Sequence, residues 1–251
     1  MQNAYASFAD TLAASLNLRQ PPVAVCFADS VPESVPAYKG HAPAGCSFWQ
    51  HAALGPFATS SADHSLCAIG VYTHNLEPSA VQQTDLSDAL KVFAELGYVT
   101  EKDLPLIPVL ESRRAHVIYS PLADTPLDPD VVLLIVDASQ SLILTEATQQ
   151  VEKQSALAMG RPACAIIPLV INTGRAALSL GCCGARAYLD VLTDDVALFA
   201  LPGAKLATYT RRIATLARAN GFLAKFHAIR RREVEAGESP TVEQSLLAMQ
   251  G

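Results

Sequence analysis

The chain has 251 residues, of which 50% are hydrophobic and 17% charged, so it has enough apolar side chains to bury a substantial core. Its formal net charge of −6 gives no general attraction for phosphate backbones or anionic lipids, which disfavours nucleic acid and membrane surfaces as partners. The sequence has no typical secretory signal and no apolar stretch of about 20 residues that would span a bilayer. We therefore expect a cytoplasmic protein whose six cysteines are ligands or reactive thiols, not disulfides.

The first hundred residues predict helices around a short buried strand. The N-terminal 18 residues have an amphipathic helical pattern, and the apolar run at 22–27, between prolines and a turn-rich stretch, predicts a strand. Residues 45–54 have a helical pattern. Residues 65–74 contain an internal glycine, which favours a strand, a loop or a close backbone approach over a long helix. A helix is predicted over 84–96, with a Thr or Asp cap and a terminating glycine.

The second half of the chain predicts further strands and two helices. Residues 116–122 and 130–137 read as strands, and the second is apolar enough to be central in a sheet. A helix is predicted over 144–160, and a final helix of about 30 residues starts near Ala204 and is divided or bent at Gly221. Three more β-like runs lie between these helices, at 164–171, 176–183 and 195–202.

These elements predict an α/β or α+β fold, with a mixed sheet, flanking helices and a long C-terminal helix. We expect one compact domain over residues 1–236 and a mobile tail over 237–251. Two segments, about 10–100 and 110–205, share a loose plan of apolar strand, helix, and strand ending in cysteine and glycine. An internal pseudo-duplication of this kind would bring Cys67 towards Cys182 and Cys183.

The cysteines are the most concentrated chemistry in the sequence. Five of them sit beside glycine, proline or a predicted element end, where thiolates can converge: Cys46, Cys67, Cys164, Cys182 and Cys183. Cys26 lies inside an apolar strand and reads as a core residue. Because no C-x₂-C pair or ferredoxin-type run is present, the spacing leaves three interpretations open: idle buried thiols, a shared metal or iron–sulfur site, and a metal-free reactive thiol.

One long segment carries a family resemblance. The stretch GRPACAIIPLVINTGRAALSLGCCGAR, together with PPVAVCF, the isolated Cys46 and the later LPG, resembles the domain-of-unknown-function 169 (DUF169) family, common in anaerobic bacteria and archaea. The resemblance spans about residues 10–225. It implies four candidate ligands, namely Cys46, Cys67, Cys164 and either Cys182 or Cys183, the number that a [4Fe–4S] cluster takes.

Other polar residues are secondary candidates. His64 and His74 bracket Cys67, so a mixed Cys/His zinc or iron site is an alternative. Asn172 and Arg175 lie in a predicted loop and Arg186 follows the cysteine pair; arginine suits a carboxylate or phosphate, so these residues are candidates for binding an anionic small molecule. No dinucleotide, Walker, GxSxG or HExxH motif is present.

The sequence therefore predicts a cysteine-ligated metal or iron–sulfur protein with a small-molecule pocket and a redox or Lewis-acid role. If it is an enzyme, a metal- or iron–sulfur-dependent oxidoreductase or lyase is expected. The alternative is a thiol-based sensor or ligand-binding module without turnover, for which the adjacent Cys182 and Cys183 are suited. The high apolar content favours a homo-oligomer.

Overall fold

Seven strands form one mixed sheet with helices on both faces, in a computed structural model that describes residues 2–64, 66–100, 102–154 and 156–249. The predicted α/β class is confirmed. The strands are β1 Val23–Ala28, β2 Phe57–Thr59, β3 His116–Pro121, β4 Val131–Val136, β5 Ala158–Met159, β6 Ala177–Ser179 and β7 Ala197–Pro202. The helices are α1 Gln2–Leu16, α2 Phe48–His51, α3 Ala68–Thr73, α4 Ala80–Glu95, α5 Ala138–Glu152, α6 Ile166–Thr173, α7 Leu206–Glu235 and α8 Val242–Ala248.

The sheet is nearly symmetric about its central pair of strands. Its order is β2-β3-β1-β4-β7-β6-β5, and every neighbouring pair is antiparallel except β5 with β6. Val23 pairs with Leu133 and Val25 with Val131, so a half-turn about the β1–β4 pair exchanges these two strands. The same operation exchanges β3 with β7 and β2 with β6, which leaves β5 as an addition to the second half.

Alternation along the strands divides the core into two layers. Val25 of β1 and Leu133 of β4 face a layer formed by α2, α3 and α6, which also contains Cys46 and Cys164. Ala24, one residue away from Val25, faces the opposite layer, where α1, α5 and α7 pack. The two layers therefore separate the cysteine-bearing turns from the long helices.

Three segments differ from their predicted structure, and one of them is 158–159, which forms β5 although a helix is predicted over 144–160. Residues 164–171 read as a strand, but most of them form α6, since a short apolar run fits a buried helix as well as a strand. Pro168 is tolerated there because the first turn of a helix does not need its N–H groups. Residues 68–73 form the short α3; the close approach expected at Gly70 is present, since an added Cβ would lie 2.8 Å from the sulfur of Cys67.

Both long internal helices start earlier than predicted because their caps lie upstream. Helix α4 begins after Ser79, whose hydroxyl accepts a hydrogen bond from the Gln82 N–H in a capping box. Helix α5 begins after Asp137, which makes the same arrangement with Gln140. In each case the capping pair precedes the run of apolar residues that indicated the helix.

The C-terminal part of the chain contains one long helix and one short one. Helix α7 has 30 residues and continues through Gly221 without a division. Helix α8 lies in the segment predicted as a mobile tail, where the Ser245 hydroxyl donates a hydrogen bond to Glu233 of α7 at 2.8 Å. Residues 250 and 251 of that tail lie outside the described residues. Among the described helices, none combines the length and hydrophobicity that a bilayer crossing requires.

Two glycines give a matched test of this fold. A Cβ at Gly203 would lie 1.6 Å from the carbonyl oxygen of Pro129, so we expect Gly203→Ala to lower the free energy of unfolding by at least about 3 kcal/mol. Gly221 has no atom within 4 Å of the corresponding point, and Gly221→Ala should raise stability by about 0.5–1 kcal/mol. Urea denaturation of both variants measures the difference; equal stabilities would contradict the packing at Gly203.

Candidate metal centre

Four cysteines from separate segments meet on the face covered by α2, α3 and α6. Cys46 and Cys164 each lie in a 3₁₀ turn directly before a helix, α2 and α6 respectively. Cys67 precedes α3, and Cys182 precedes a π-helical turn at Gly184–Tyr188. Burial raises the pKa of the Cys46 thiol well above its usual value, and the charges of the other three thiols raise it further. Cys46, Cys164 and Cys182 pack in one hydrophobic cluster, and Gly45, which directly precedes Cys46, lies beside the sulfur of Cys67, so the four segments meet in one part of the core.

The symmetry of the sheet relates these cysteines in pairs. In each half, a cysteine in a 3₁₀ turn begins a helix, a three-residue strand follows, and a second cysteine comes after that strand. Cys46 corresponds to Cys164 in this plan, and Cys67 corresponds to Cys182. The predicted approach of Cys67 to Cys182 agrees with the interaction between the two thiols that adds to the raised pKa of Cys67. The helix equivalent to α2 is α6, not the predicted α5.

Backbone N–H groups surround the sulfur of Cys67. Burial raises the pKa of this thiol, while hydrogen bonds from the backbone of Gly45 and Gly70 oppose that rise. A Cβ at Gly45 would lie 3.8 Å from the same sulfur, and one at Gly70 would lie 2.8 Å from it. Glycine at both positions keeps the backbone close to the thiol. Such N–H donors are typical of sites that hold thiolates at a metal.

The other buried thiols are also held in their neutral form. Burial raises the pKa of Cys164, against a hydrogen bond that the Thr73 hydroxyl donates to its sulfur at 3.5 Å. Cys46, Cys67 and Cys164 are only 5%, 6% and 4% exposed. Because metals bind thiolates, occupation of this site would release protons from these thiols.

His64 lies against this group with one ring nitrogen occupied. Its Nδ1 is 2.9 Å from the carbonyl oxygen of Ser60. Since a carbonyl oxygen only accepts, Nδ1 carries the proton and Nε2 is left with an unshared electron pair. Within the described residues Nε2 has no hydrogen-bond partner, and the side chain is fully buried. A point at Gly45 where a Cβ would stand lies 3.4 Å from Nε2, so this nitrogen faces the cysteine-bearing turn.

His74 packs beside His64, and its ring interacts with the backbone of Cys164. The two rings are edge to face with centroids 6.1 Å apart, and Phe27 covers His74 from another side at 5.4 Å. Burial and the neighbouring His64 together lower the pKa of His74 to about 3, against the opposing effect of the Cys164 backbone. Neither ring nitrogen makes a contact of good hydrogen-bond geometry in the part of the chain that the structure describes. His74 is therefore a neutral polar group near the thiols.

Tyr119 of β3 adds a hydroxyl to the same region. Its ring packs between Phe57 and Phe48, with centroid distances of 5.7 Å and 5.4 Å. Burial raises the pKa of its phenol well above the usual value, and the charges of three thiols add to the rise. Those thiols belong to Cys46, Cys67 and Cys164. Among the described residues no group accepts from or donates to this hydroxyl.

The cysteine and histidine side chains described above border one region but do not surround a single metal-ion position among the described residues. Over residues 2–64, 66–100, 102–154 and 156–249, no group of three or more His, Cys, Asp or Glu side chains is arranged to hold a metal ion. Sulfurs around one tetrahedral zinc ion would lie about 3.8 Å apart, given Zn–S bonds of about 2.3 Å. A cluster of several metal atoms takes ligands that are farther apart. Among the described residues these side chains therefore border one region of the core without forming a closed single-ion site.

Comparison with known families agrees with the resemblance seen in the sequence. The family DUF169, described as an uncharacterised ArCR family, matches residues 11–212. The chain belongs to the DUF169 family. No curated protein and no solved structure matches the chain. The matched DUF169 region includes the whole sheet, the four converging cysteines and His64, while most of α7 and all of α8 lie beyond it.

The two remaining cysteines lie apart from this group. Cys183 is exposed although its neighbour Cys182 is half-buried, so of the adjacent pair only Cys182 joins the other thiols. Cys26 is buried at the far end of β1, in a small cluster with Val35 and Ile118. Its burial raises the pKa of the thiol to about 12. The core role predicted for Cys26 agrees with this position.

The predicted substrate-binding residues are engaged in contacts within the chain. The side chain of Asn172 donates to the carbonyl of Val109 at 2.7 Å, and Arg175 pairs with the buried carboxylate of Glu152 at 3.4 Å. Arg186 donates to carbonyl oxygens on both sides of the loop that carries Cys182, among them those of Leu180 and Val196. Arg186 therefore shapes the rim of the thiol group, and a substrate role for all three residues stays a prediction.

Sequence reasoning missed Tyr119. The only signal was a tyrosine at an alternating position in an apolar strand, which requires a polar partner when it is buried. That pattern does not give the partner. In the sequence Gly45 is simply the residue before Cys46. Its position beside the sulfur of Cys67 depends on a turn 22 residues away, which the local sequence does not show.

Thiol exposure predicts a clear order of reactivity. Iodoacetamide reacts with the thiolate, so exposed Cys183 should be modified first in the native protein at pH 8. Cys26, with its pKa raised to about 12 by burial, should react only after unfolding. Mass spectrometry of the alkylated peptides measures this order, and Cys183→Ser should abolish the fast phase. Fast modification of Cys26 in the native state would contradict its burial.

The hydroxyl of Tyr119, which has no hydrogen-bond partner among the described residues, predicts that its removal raises stability. Because Tyr119→Phe removes a buried group without a partner, we expect the metal-free variant to be more stable than the wild type by about 1 kcal/mol. Tyr209 is the matched control: its hydroxyl donates to Glu152 at 2.6 Å, and Tyr209→Phe should destabilise by about 1–3 kcal/mol. Urea denaturation under reducing, metal-free conditions compares them. Loss of stability in Tyr119→Phe would mean that its hydroxyl has a partner.

Proposed function

We propose that this DUF169 protein holds an iron–sulfur cluster, or another thiolate-bound metal centre, between the two halves of its sheet. Cys46, Cys67 and Cys164 are its buried ligands, and Cys182 lies at its rim. The observation that carries this proposal is the meeting of four cysteines from four separate segments, two from each half, on one buried face.

The chemistry of the donors supports iron and sulfide over harder cations. Thiolates are soft ligands that favour iron–sulfur clusters, zinc and Cu(I), whereas magnesium and calcium prefer oxygen. The N–H groups of Gly45 and Gly70 would stabilise thiolate charge once a metal replaces the thiol protons.

When bound, such a centre supplies one-electron transfer or a Lewis acid. The chain would exclude water with the aromatic group of Phe48, Phe57 and Tyr119. A surface groove of about 380 Å³ is lined by Ser60, whose carbonyl holds His64. We assign a small-molecule substrate to this groove. Its two arginines, Arg113 and Arg114, suit an anionic group, although each also pairs with a carboxylate.

A thiol sensor without turnover is the second candidate, and one observation favours it. Cys183 is exposed and directly follows Cys182, so an oxidant or soft metal would reach this pair before the buried thiols. In that case the buried cysteines are packing residues. A cytoplasmic location and a homo-oligomeric state stay predictions under both proposals.

Metal loading of single variants separates the two proposals. We expect protein purified without oxygen, or reconstituted with iron and sulfide, to be brown and to contain both elements. Cys46→Ser, Cys67→Ser and Cys164→Ser should each lose the centre, since each removes a ligand. Iron and sulfide analysis and the visible spectrum measure the loss.

Two cysteines outside the group provide controls for this experiment. Cys26→Ser and Cys183→Ser should retain the iron and sulfide content of the wild type. A colourless, metal-free wild type would overturn the metal proposal. Loss confined to variants at Cys182 and Cys183 would favour the sensor.

A further inference from the structure

His64 has an unshared electron pair on a buried ring nitrogen, Nε2, that lies near the turn carrying Gly45. The proton on Nδ1 is fixed by the carbonyl of Ser60, which leaves Nε2 as an acceptor. A neutral imidazole whose second nitrogen donates to a backbone carbonyl is the usual state of a metal-ligating histidine.

The position of Nε2 fits that role. The same point at Gly45, where a Cβ would stand, lies 3.4 Å from Nε2 and 3.8 Å from the sulfur of Cys67. Gly45 directly precedes Cys46, so one small region borders the imidazole and two of the thiols. The ring of Phe48 closes this region at 5.0 Å from the imidazole centroid. A buried acceptor without a donor is unfavourable unless a bound group uses it.

Burial separates His64 from Cys182. His64 is fully buried and Cys46, Cys67 and Cys164 are nearly so, whereas Cys182 is half-buried beside the exposed Cys183. We infer that His64 binds the metal centre through Nε2 together with Cys46, Cys67 and Cys164, and that Cys182 is a replaceable donor. This inference rests on the proposed function. It gives the centre one position at the rim that a small molecule can occupy in place of Cys182.

His74 is less suited than His64 to be a metal ligand. Its ring interacts with the backbone of Cys164, and no contact of good hydrogen-bond geometry among the described residues fixes Nε2 as an acceptor. His51 is also unsuited, because its Nδ1 lies 2.8 Å from the hydroxyl of Tyr38 and its ring stacks on that tyrosine. His51 therefore serves as the control for a histidine packed in the neighbouring aromatic group.

Electron spin echo measurements on iron-reconstituted protein test the inference. We expect protein containing ¹⁵N-histidine to show a strongly coupled nitrogen in its paramagnetic state. His64→Gln should lose this coupling and bind iron at least about tenfold more weakly, whereas His51→Gln should keep both. His64→Cys should keep the iron and lose the nitrogen coupling, and this variant controls for a general loss of folding. Cys182→Ser should keep the iron and the coupling.

Failure of the His64 inference and failure of the proposed function give different results in this experiment. A wild type that contains iron and sulfide but has no strongly coupled nitrogen would overturn the inference and leave the proposed function standing. Loss of iron in Cys182→Ser with full retention in His64→Gln would also overturn it. A wild type that binds no iron would overturn the proposed function, and the inference with it.

Discussion

The antiparallel pairing of β1 with β4 is the constraint on which the rest of the structure depends. Its register, Val23 with Leu133 and Val25 with Val131, relates the two halves of the sheet by a half-turn. The outer strands follow the same relation: Val23 pairs with Pro121 in one half, and Val131 pairs with Pro202 in the other. Because both halves present their turns to the same face, cysteines more than a hundred residues apart become neighbours.

On the face of the sheet where the thiols lie, several buried polar atoms make no hydrogen bond within the described residues. Burial keeps the Cys46 and Cys164 thiols neutral, and neither Nε2 of His64 nor the hydroxyl of Tyr119 has a hydrogen-bond partner within the described residues. Each unpartnered buried group costs about 1–3 kcal/mol. In the opposite layer Glu152 is buried too and accepts hydrogen bonds from Tyr209 and the backbone of Ala176, but Gln150 and Thr210 there each have a buried oxygen without a partner among the described residues. Unpartnered polar atoms therefore occur on both faces of the sheet, and those of His64 and Tyr119 are the ones that lie beside the thiols.

Much of this fold could be predicted from local patterns, because strand runs such as 130–137 are long, apolar and bounded by turn residues. The run at 164–171 could not be assigned in that way, since a buried helix and a buried strand are equally apolar. The cysteines themselves were recognisable from their neighbouring glycines and prolines. The partners of His64 and Tyr119 were not, because their environment is set by β3, the turn at Gly45 and α3 together, which no local pattern relates.

The two halves differ where a function would require it. The symmetry relates Tyr119 to Ala200. Tyr119 pairs with Val25 of β1, and Ala200 pairs with Leu133, the equivalent residue of β4. The first half also contributes His64, whereas in the second half Ser179, at the end of the strand equivalent to β2, is buried three residues before Cys182. Beside the thiols, the unpartnered Nε2 of His64 and the hydroxyl of Tyr119 belong to the first half, and the half-buried thiol of Cys182 belongs to the second. A centre between them would be held by thiolates from both halves but would meet hydrogen-bonding groups on one side and solvent on the other. This asymmetry is what a site needs if it is to bind one ligand in one orientation.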